Sequence, residues 1–585
     1  MDMPPASDGR LYTVGCRLHK LVPDRTHVSV IERAVQRVHK ATFLATELAN
    51  IHVRRCLREN LPLGDLFSAN WLYNVYNEVT VGKGAPKVIH ELRQSKAYMP
   101  PFEPPSRAGV LQPIRYECRN LATVAANNVW MHFSKRVKSH VRHRLALEEQ
   151  AYNALTKDQK KERRLLLLQL SRDLIKMPTE ELLSPREHHT WVATERATLG
   201  IDTAVGAWKK KPLLWHLKAK PHRFVDAMAH MSLVREKGGG RAFSLFPLRR
   251  TYTPRHIRFD QTGLRELLSL GSSEYAKKKQ KTAPDQVASS STSDTLDFPP
   301  LGPCGYDSEE SAVPADIDPP ASSSKKRIRR AADELVGEKT ELFGKVVDLR
   351  AAKVTRSNQF DFAFTTDGVC ARVQMKAPIK ASPTPLVSMP SRGIWAIDEL
   401  KRVSRLEELH VVGVDPGKRE LVCCVDMDDS KGCSPVRYTQ KQRAFEIRSK
   451  QYRHEGERDK PFLVKEAETQ LADFTSRSAD LNTFCAYCTK RHERLEQALA
   501  FYSHIGHRQR RRKTAIKTQQ SEERLYKRMK GIKKKGDSRS LVLAYGSWGL
   551  VAGRPGMACN NGNAPCIGVG LMRKLAKRFV VAVTP

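Results

Sequence analysis

The sequence predicts a mixed α/β protein with several domains, and three observations support that prediction. The chain has 585 residues, of which 40% are hydrophobic, which suffices for roughly three or four cores of ~150 residues each. Segments with apolar residues at helical spacing alternate along the chain with short strand-like runs. One segment, residues 271–336, is rich in Ser, Pro, Asp and Ala and divides the chain into two parts.

The first part is predicted to be mainly helical after one short strand. Residues 10–19 alternate weakly between apolar and polar positions, which favours a strand. Residues 28–58 and several stretches within 120–175 place apolar side chains at helical spacing with basic residues between them. A helical region following an initial strand is therefore expected.

Further strands are predicted on both sides of the Ser- and Pro-rich segment. Strand-like runs occur at 241–248 and 255–260, and again within 361–374. The last run is divided by Asp367-Gly368, a dipeptide typical of hairpin turns. These segments are expected to form β-structure together.

Residues 271–336 are predicted to be disordered, because they contain too few aromatic and aliphatic side chains to bury a core. Two basic clusters lie in this segment, at 277–281 and 325–330. The second resembles a nuclear-import signal, although charged runs are also common as plain solvated segments. The candidate import residues are Lys325, Lys326, Arg327, Arg329 and Arg330.

Asp415 ends an apolar strand, LHVVGVD, and a turn follows it at once. Valines suit a buried strand, and Pro416-Gly417 supply the fixed φ and the positive φ of a type II turn. Residues 420–426 form a second apolar run, so a hairpin is predicted with Asp415 at its mouth. Such a hairpin opens an RNase H-like sheet and makes Asp415 the candidate catalytic and metal-binding residue. A plain hairpin, or the phosphate loop of an actin-like kinase, remains the alternative.

The region from 463 to 535 is predicted to be helical and becomes strongly basic. Residues 507–535 contain thirteen Lys or Arg against two Glu, which predicts a salt-dependent nucleic-acid surface. Apolar runs at 540–546 and 578–585 then resume the sheet. The candidate nucleic-acid-binding residues are Lys418, Arg508, Arg510, Arg511, Arg512, Lys513, Lys517, Arg524, Lys527, Arg528, Lys530, Arg573 and Lys574.

The overall charge favours a polyanionic partner. The chain carries 101 Lys and Arg against 63 Asp and Glu, a net charge of +38, so nucleic acid is the leading candidate. The longest aliphatic run, within 165–170, is far shorter than the ~20 residues that span a bilayer. The N-terminus has no apolar segment of a secretory signal, so the twelve cysteines are expected to be reduced thiols.

Cys485 and Cys488 have the spacing of a zinc knuckle, and Cys559 with Cys566 could complete four ligands. Leu481, Phe484, Cys485 and Cys488 also form an ordinary helical core stripe, and the second cysteine pair lacks knuckle spacing. The core interpretation is favoured over the zinc site.

Several of these strings resemble the Fanzor proteins, eukaryotic relatives of TnpB. The resemblance rests on GVDPGKRELVCCVD at 413–426, on 478–502, on 543–548 and on 564–575. It is specific from about 405 to 585, with weaker similarity upstream. It implies an RNA-guided DNA endonuclease: a monomeric, nuclear ribonucleoprotein of transposon origin that binds a guide RNA and a double-stranded DNA target.

The resemblance also implies a domain order, in which a split, wedge-type β-barrel surrounds a helical recognition lobe and a nuclease domain follows. The implied domains are 1–24 (first barrel strands), 25–235 (recognition lobe), 236–270 (barrel strands), 271–336 (disordered linker), 337–400 (barrel strands) and 401–585 (RNase H-like RuvC domain lacking its last elements, with a basic helical insertion at 463–535).

The resemblance implies two Mg²⁺ ions held by several carboxylates, of which Asp415 is the first. RuvC nucleases often carry a Glu after the strand at 541–545, but Tyr545-Gly546-Ser547-Trp548 offers none. The substitute Glu of Fanzor proteins, their Zn²⁺-binding cysteines and the last catalytic Asp would all lie beyond residue 585. Asp426, Asp428 and Asp429 are expected to point away from Asp415, across ~15–20 Å.

Two hypotheses follow for the function. The chain is a copy of an RNA-guided nuclease that lacks its last elements, or a nucleic-acid-binding protein that keeps the binding channel but does not cut. One carboxylate cannot hold two metal ions, so no nuclease activity is expected of this chain. Missing elements would also leave the apolar strand at 579–583 unpaired.

Overall fold

The computed structural model describes most of the helical and strand regions of the chain. The described residues are 10–63, 66–80, 90–145, 154–206, 208, 211–237, 240, 242, 244–248, 252–268, 339, 341–352, 359–377, 393–396, 400, 402, 406–417, 419–428, 435–533, 536–546 and 568–584. The candidate import residues at 325–330, like the rest of the predicted disordered segment, lie outside this set.

Four strands form an antiparallel sheet in the order β1-β4-β3-β2. They are β1 (Arg10–Arg17), β2 (Ile257–Asp260), β3 (Gln359–Thr366) and β4 (Cys370–Ala377). The hairpin predicted at Asp367-Gly368 is confirmed. The Asp367 side chain accepts from Val369 N at 3.1 Å and Cys370 N at 2.9 Å, and Gly368 has a φ of +87°.

A group of helices packs beside this sheet, and α2 lies at its centre. Asp24 caps the N-terminus of α2 by accepting from Thr26 N at 2.7 Å. Every residue from 41 to 56 is buried, as expected of a helix surrounded by others. The helices are α1 (Leu18–Leu21), α2 (Arg25–Glu59), α3 (Ala69–Val79), α4 (His90–Lys96), α5 (Leu111–Arg144), α6 (Lys157–Asp173), α7 (His189–Thr198), α8 (Ile201–Val205), α9 (Leu213–Ala219), α10 (Val225–Lys237) and α11 (Gln261–Leu268).

The strand predicted at 241–248 is wrong for the residues described there, which have an irregular backbone. Side-chain amides satisfy their carbonyls: Asn50 donates to Phe246 O at 2.8 Å and Asn128 to Ser244 O at 3.1 Å. Pro247 has no N–H to donate to a sheet. The segment 261–268, predicted within a barrel region, is instead helix α11.

Six strands form a second, mixed sheet in the order β5-β10-β9-β6-β7-β8. They are β5 (Gly393–Ala396), β6 (Leu409–Asp415), β7 (Glu420–Asp426), β8 (Val436–Thr439), β9 (Ser540–Gly546) and β10 (Val580–Thr584). Strands β6, β7 and β8 are antiparallel neighbours, whereas β6, β9, β10 and β5 are parallel. The predicted β6–β7 hairpin and the return of the sheet at 540–546 are confirmed.

The prediction of an unpaired strand at 579–583 is wrong. Strand β10 pairs on one side with β9 and on the other with β5, in a register that sets Val580 opposite both Val542 and Gly393. Strand β5 was predicted within a barrel region, because four apolar residues give no signal of which sheet they join. The sheet therefore has β5 and β8 at its edges.

Seven described helices follow in sequence or lie between the strands of this second sheet. Some of them pack on the sheet, and others pack against the N-terminal helices. The seven helices are α12 (Gln440–Glu446), α13 (Ser449–Arg458), α14 (Phe462–Leu471), α15 (Leu481–His492), α16 (Leu495–Tyr502), α17 (Ile505–Lys530) and α18 (Gly568–Ala576). Leu525 and Met529 of α17 and Leu575 of α18 share a core with Val412 of β6.

Helices α15 and α16 belong to a different core. Leu481, Phe484 and Leu495 are buried in the same cluster as the α2 side chains. Arg54 of α2 donates to Ser478 O at 2.9 Å and lies 3.9 Å from the Phe484 ring centroid. The predicted insertion at 463–535 therefore divides, since α15 and α16 pack with the N-terminal helices and α17 packs on the second sheet.

Candidate functional site

Asp415 is the last residue of β6 and its side chain is exposed. Gly417 N donates to Glu420 O at 2.9 Å and closes the turn to β7. Gly417 does not have the positive φ of a type II turn, so that prediction is wrong. Glycine is needed here for another reason, since a Cβ would lie 2.7 Å from Glu420 O. Lys418 lies outside the described residues.

The carboxyl ends of the parallel strands β6, β9 and β10 meet at the edge of the sheet that displays Asp415. Gly546 ends β9 and packs against the turn, where a Cβ would lie 3.6 Å from the Pro416 side chain. Among the described residues, no group of three metal-ligating side chains includes Asp415. Ser547 and Trp548, which follow β9, lie outside the described residues.

Asp426 does not share a site with Asp415. The hairpin register pairs Asp426 with Val412, three residues before Asp415. That offset is ~10 Å along the strands, shorter than predicted, and its odd value places the two acids on opposite faces. The two carboxylates are therefore separated mainly because they project from opposite faces of the sheet. Asp429 lies outside the described residues.

A different group of side chains could hold a metal ion. His410, Asp426 and Asp428 each offer a ligand atom, and these atoms lie within 4.8 Å of one another. The two ring nitrogens of His410 face different acids: Nε2 lies 3.3 Å from Asp426 Oδ1, and Nδ1 lies 3.4 Å from Asp428 Oδ2. The imidazole is 3% exposed. The sequence analysis did not single out His410, because it lies inside an apolar strand.

Two residues just before β9 complete this group, which we call the His410 cluster (His410, Asp426, Asp428, Asp537 and Arg539). Asp537 Oδ2 lies 3.1 Å from His410 Nδ1. Arg539 lies 2.7 Å from Asp428 and 3.0 Å from Asp537. Hydrogen bonds from the Arg539 side chain and backbone lower the pKa of Asp537.

The basic helix α17 has one buried face and one exposed face. Leu525, Tyr526 and Met529 are buried, whereas Lys513, Lys527, Arg528 and Lys530 are exposed. The predicted Lys517 and Arg512 are half-buried, and the predicted Arg573 of α18 is exposed. None of these basic residues forms an ion pair with a described carboxylate, so they are free to meet phosphates.

Five of the predicted nucleic-acid contacts have protein partners instead. Arg508 is 2% exposed and donates to Asp367 O at 2.8 Å, so its prediction as a surface contact is wrong. Its guanidinium fills the space beside Gly368, which has no side chain. The other four bind acids or a carbonyl: Arg510 to Asp459 at 2.8 Å, Arg511 to Pro254 O at 2.8 Å, Arg524 to Glu446 at 2.8 Å, and Lys574 to Glu522.

Cys485 and Cys488 lie on α15, and Cys488 is buried in the core around α2. Burial holds the pKa of the Cys488 thiol well above its usual value, which disfavours the thiolate that zinc binds. The core interpretation of this pair is thus supported. Cys559 and Cys566 lie outside the described residues.

One buried ionic group was missed by the sequence analysis. Glu47 of α2 is fully buried and accepts from Arg491 at 2.8 Å and from His492 at 2.7 Å, both on α15. The Arg491 guanidinium lies 3.7 Å from the Phe43 ring centroid. More than 400 residues of sequence separate the partners, so no local pattern connects them.

Among the described residues, every helix is too short or too polar to cross a lipid bilayer. No protein-family model matches the chain, and no curated protein matches it either.

Proposed function

We propose that this protein binds a guide RNA and a double-stranded DNA target in the nucleus, on a scaffold related to the RNA-guided nucleases. The observation that carries the proposal is the exposed basic stripe of α17, together with its position on the sheet that displays Asp415. A net charge of +38 accords with a polyanionic partner.

The stripe follows from helical geometry. At 100° per residue, Lys513, Lys517, Lys527 and Arg528 fall within ~100° of one another around α17 and span ~23 Å of its length. Leu525 and Met529 lie on the other side and pack on the sheet. The cations therefore form one continuous surface that can track a phosphate backbone.

An exposed aromatic residue lies next to this stripe. Helix α12 contacts α17 through Glu446, which pairs with Arg524 at 2.8 Å. Phe445 on α12 is 83% exposed, and exposed basic residues lie close to it in sequence, Lys441 one turn before it on α12 and Arg448 just beyond the helix. An aromatic ring among cations is the surface on which bases of single-stranded nucleic acid stack.

The arrangement of strands around Asp415 supports the nuclease relationship. An antiparallel hairpin lies on one side of β6 and parallel strands on the other, with the acid at the carboxyl end, as an RNase H-like sheet requires. The four-stranded antiparallel sheet, with helices α2 to α10 inserted between β1 and β2, accords with the split wedge-type barrel and recognition lobe.

A non-cleaving binding protein is the second candidate. The observation that favours it is that Asp415 has no described acidic partner for a two-metal site. Mg²⁺ would bind Asp415 only together with further carboxylates, which a two-metal hydrolysis needs to position both ions.

A charge-matched pair of variants tests the binding surface. In one variant, Lys513, Lys517, Lys527 and Arg528 of the stripe are changed to Gln. In the other, four exposed lysines of the N-terminal half are changed to Gln: Lys157 and Lys161 of α6, and Lys211 and Lys220, which flank α9. RNA affinity is measured against salt concentration by fluorescence anisotropy. The first variant should lose up to about 3 from the slope of log K against log salt, at ~0.7 for each lost single-strand phosphate contact. Equal losses in the two variants would refute the assignment of the surface to α17.

A further inference from the structure

The His410 cluster lies at the opposite end of the sheet from Asp415. His410 is the second residue of β6 and pairs with Leu541 near the start of β9. Asp426 ends β7, whereas Asp537 and Arg539 directly precede β9. Three chain segments thus converge at the amino end of the parallel strands, away from the proposed nuclease edge.

The imidazole of His410 cannot satisfy all of its neighbours as a neutral ring. In the tautomer that leaves Nε2 with its lone pair, Nδ1 carries the proton and can donate to Asp537 Oδ2, 3.1 Å away. Nε2 is buried and forms no hydrogen bond to the described residues, although Asp426 Oδ1 is 3.3 Å away. One buried nitrogen therefore faces a carboxylate without a hydrogen bond, a position that a bound cation would satisfy.

The charges of the cluster are also unbalanced. Three carboxylates face the guanidinium of Arg539 and the charge of Lys533, which acts on Asp537, so a neutral His410 leaves one negative charge in excess. Asp426 is 7% exposed and Asp537 14%, and carboxylates this far from water are stabilised by a partner charge. A bound divalent cation would offset that excess charge.

We propose that His410, Asp426 and Asp428 bind a divalent transition-metal ion, of the class of Zn²⁺ or Mn²⁺. A mixed set of one imidazole and two carboxylates suits these ions better than Mg²⁺, which prefers oxygen ligands alone. The ion would link the end of β7 to the start of β6. This proposal is independent of the proposed function, because neither Asp415 nor the α17 stripe takes part.

Arg539 competes with the ion for Asp428. Its guanidinium is 36% exposed, so it can swing toward solvent and release the carboxylate. Removing its positive charge should therefore raise metal affinity about tenfold, since a like charge a few Å away is lost. If the cluster is only an ion-pair network, Arg539→Gln should destabilise the protein and added metal should not restore its stability. The acids would then have lost their partner cation with nothing to replace it.

The test compares the full chain with Arg539→Gln, Arg539→Gln/Asp426→Asn and Asp415→Asn. Each is stripped with chelator, and its melting temperature and bound metal are measured after addition of ZnCl₂ or MnCl₂. The Arg539→Gln variant should have a lower melting temperature than the unchanged protein in chelator, and added metal should restore that temperature. The added Asp426→Asn change should abolish this recovery and lower the bound metal by one ion per chain, whereas Asp415→Asn should bind as the unchanged protein does.

Two results with the variants would overturn the proposal. One is a lowered melting temperature of the Arg539→Gln variant that neither metal restores. The other is a metal-dependent recovery that persists when Asp426 is also changed, which would place the ion elsewhere. Isothermal titration of the unchanged chain gives a measurement that requires no variant to fold, and absence of binding there would also refute the site.

Discussion

The buried contact between Glu47 and the α15 residues Arg491 and His492 leads to the most quantitative prediction. Changing Glu47 to Gln keeps the size of the side chain but removes its charge. Arg491 is 4% exposed, so its guanidinium would remain charged inside the core without a carboxylate. Burial opposes its charged form, but Glu47 and the nearby Tyr487 hold its pKa above the usual value.

The expected loss of stability follows from that burial. Breaking a buried ion pair by removing one partner costs about 3–5 kcal/mol, because an uncompensated charge is left behind. The control is Glu341→Gln, which removes a carboxylate from an exposed pair with Lys345, 70% and 64% exposed. Solvent screens that exposed pair, so its loss should lower the unfolding free energy far less than the Glu47 change does.

Urea denaturation followed by far-UV circular dichroism gives the difference in unfolding free energy for the segment that contains α2 and α15. A second variant distinguishes lost charge from lost packing. Glu47→Gln/Arg491→Met removes both charges, so it should regain most of the loss caused by Glu47→Gln alone. Equal destabilisation by the Glu47 and Glu341 changes, or a double variant less stable than Glu47→Gln, would refute the reasoning.

Three further predictions concern catalysis, pH and base stacking. With a guide RNA and Mg²⁺, the chain should leave target DNA uncut, and Asp415→Asn should behave identically; Mg²⁺-dependent cutting that Asp415→Asn abolishes would show a complete two-metal site. Burial and the Arg55 charge lower the pKa of His52 from 6.5 to about 4, so its contribution to stability is complete above pH 6.5 and is lost as the pH falls toward 4. His52→Gln should therefore remove up to about 3 kcal/mol of that acid-dependent loss, and an unchanged pH profile of the melting temperature would contradict it. Phe445→Ala should weaken single-stranded RNA binding by about 1–3 kcal/mol without changing the salt slope, whereas Phe445→Trp should retain it; a change of slope would point to lost phosphate contacts.

Sequence patterns predicted those parts of the fold that depend on neighbouring residues. The β6–β7 hairpin, the Asp367-Gly368 turn and the helix α17 each follow from apolar spacing and turn chemistry within a few residues. The pairing of β10 with β5 could not be predicted, because parallel strands far apart in sequence leave no common local signal. A four-residue strand such as 393–396 is also too short to show periodicity.

The candidate site shows the same limit. Asp415 was predictable, since a strand and a turn that are continuous in sequence position it. The His410 cluster was not, because His410, Asp426 and Asp537 come from three segments that only the sheet brings together. Counting charges along 507–535 predicted a basic surface but could not show that Arg508 faces inward, since the direction of each side chain depends on what the helix packs against.

The position of β10 between β9 and β5 has a consequence for how the protein is made. Strand β5 emerges from the ribosome long before β10, the one described strand with which it pairs. Until β10 is synthesised, the backbone of residues 393–396 lacks the strand with which it pairs in the folded protein. Chaperone binding during translation should therefore concentrate on this stretch and end when the β9–β10 region leaves the ribosome.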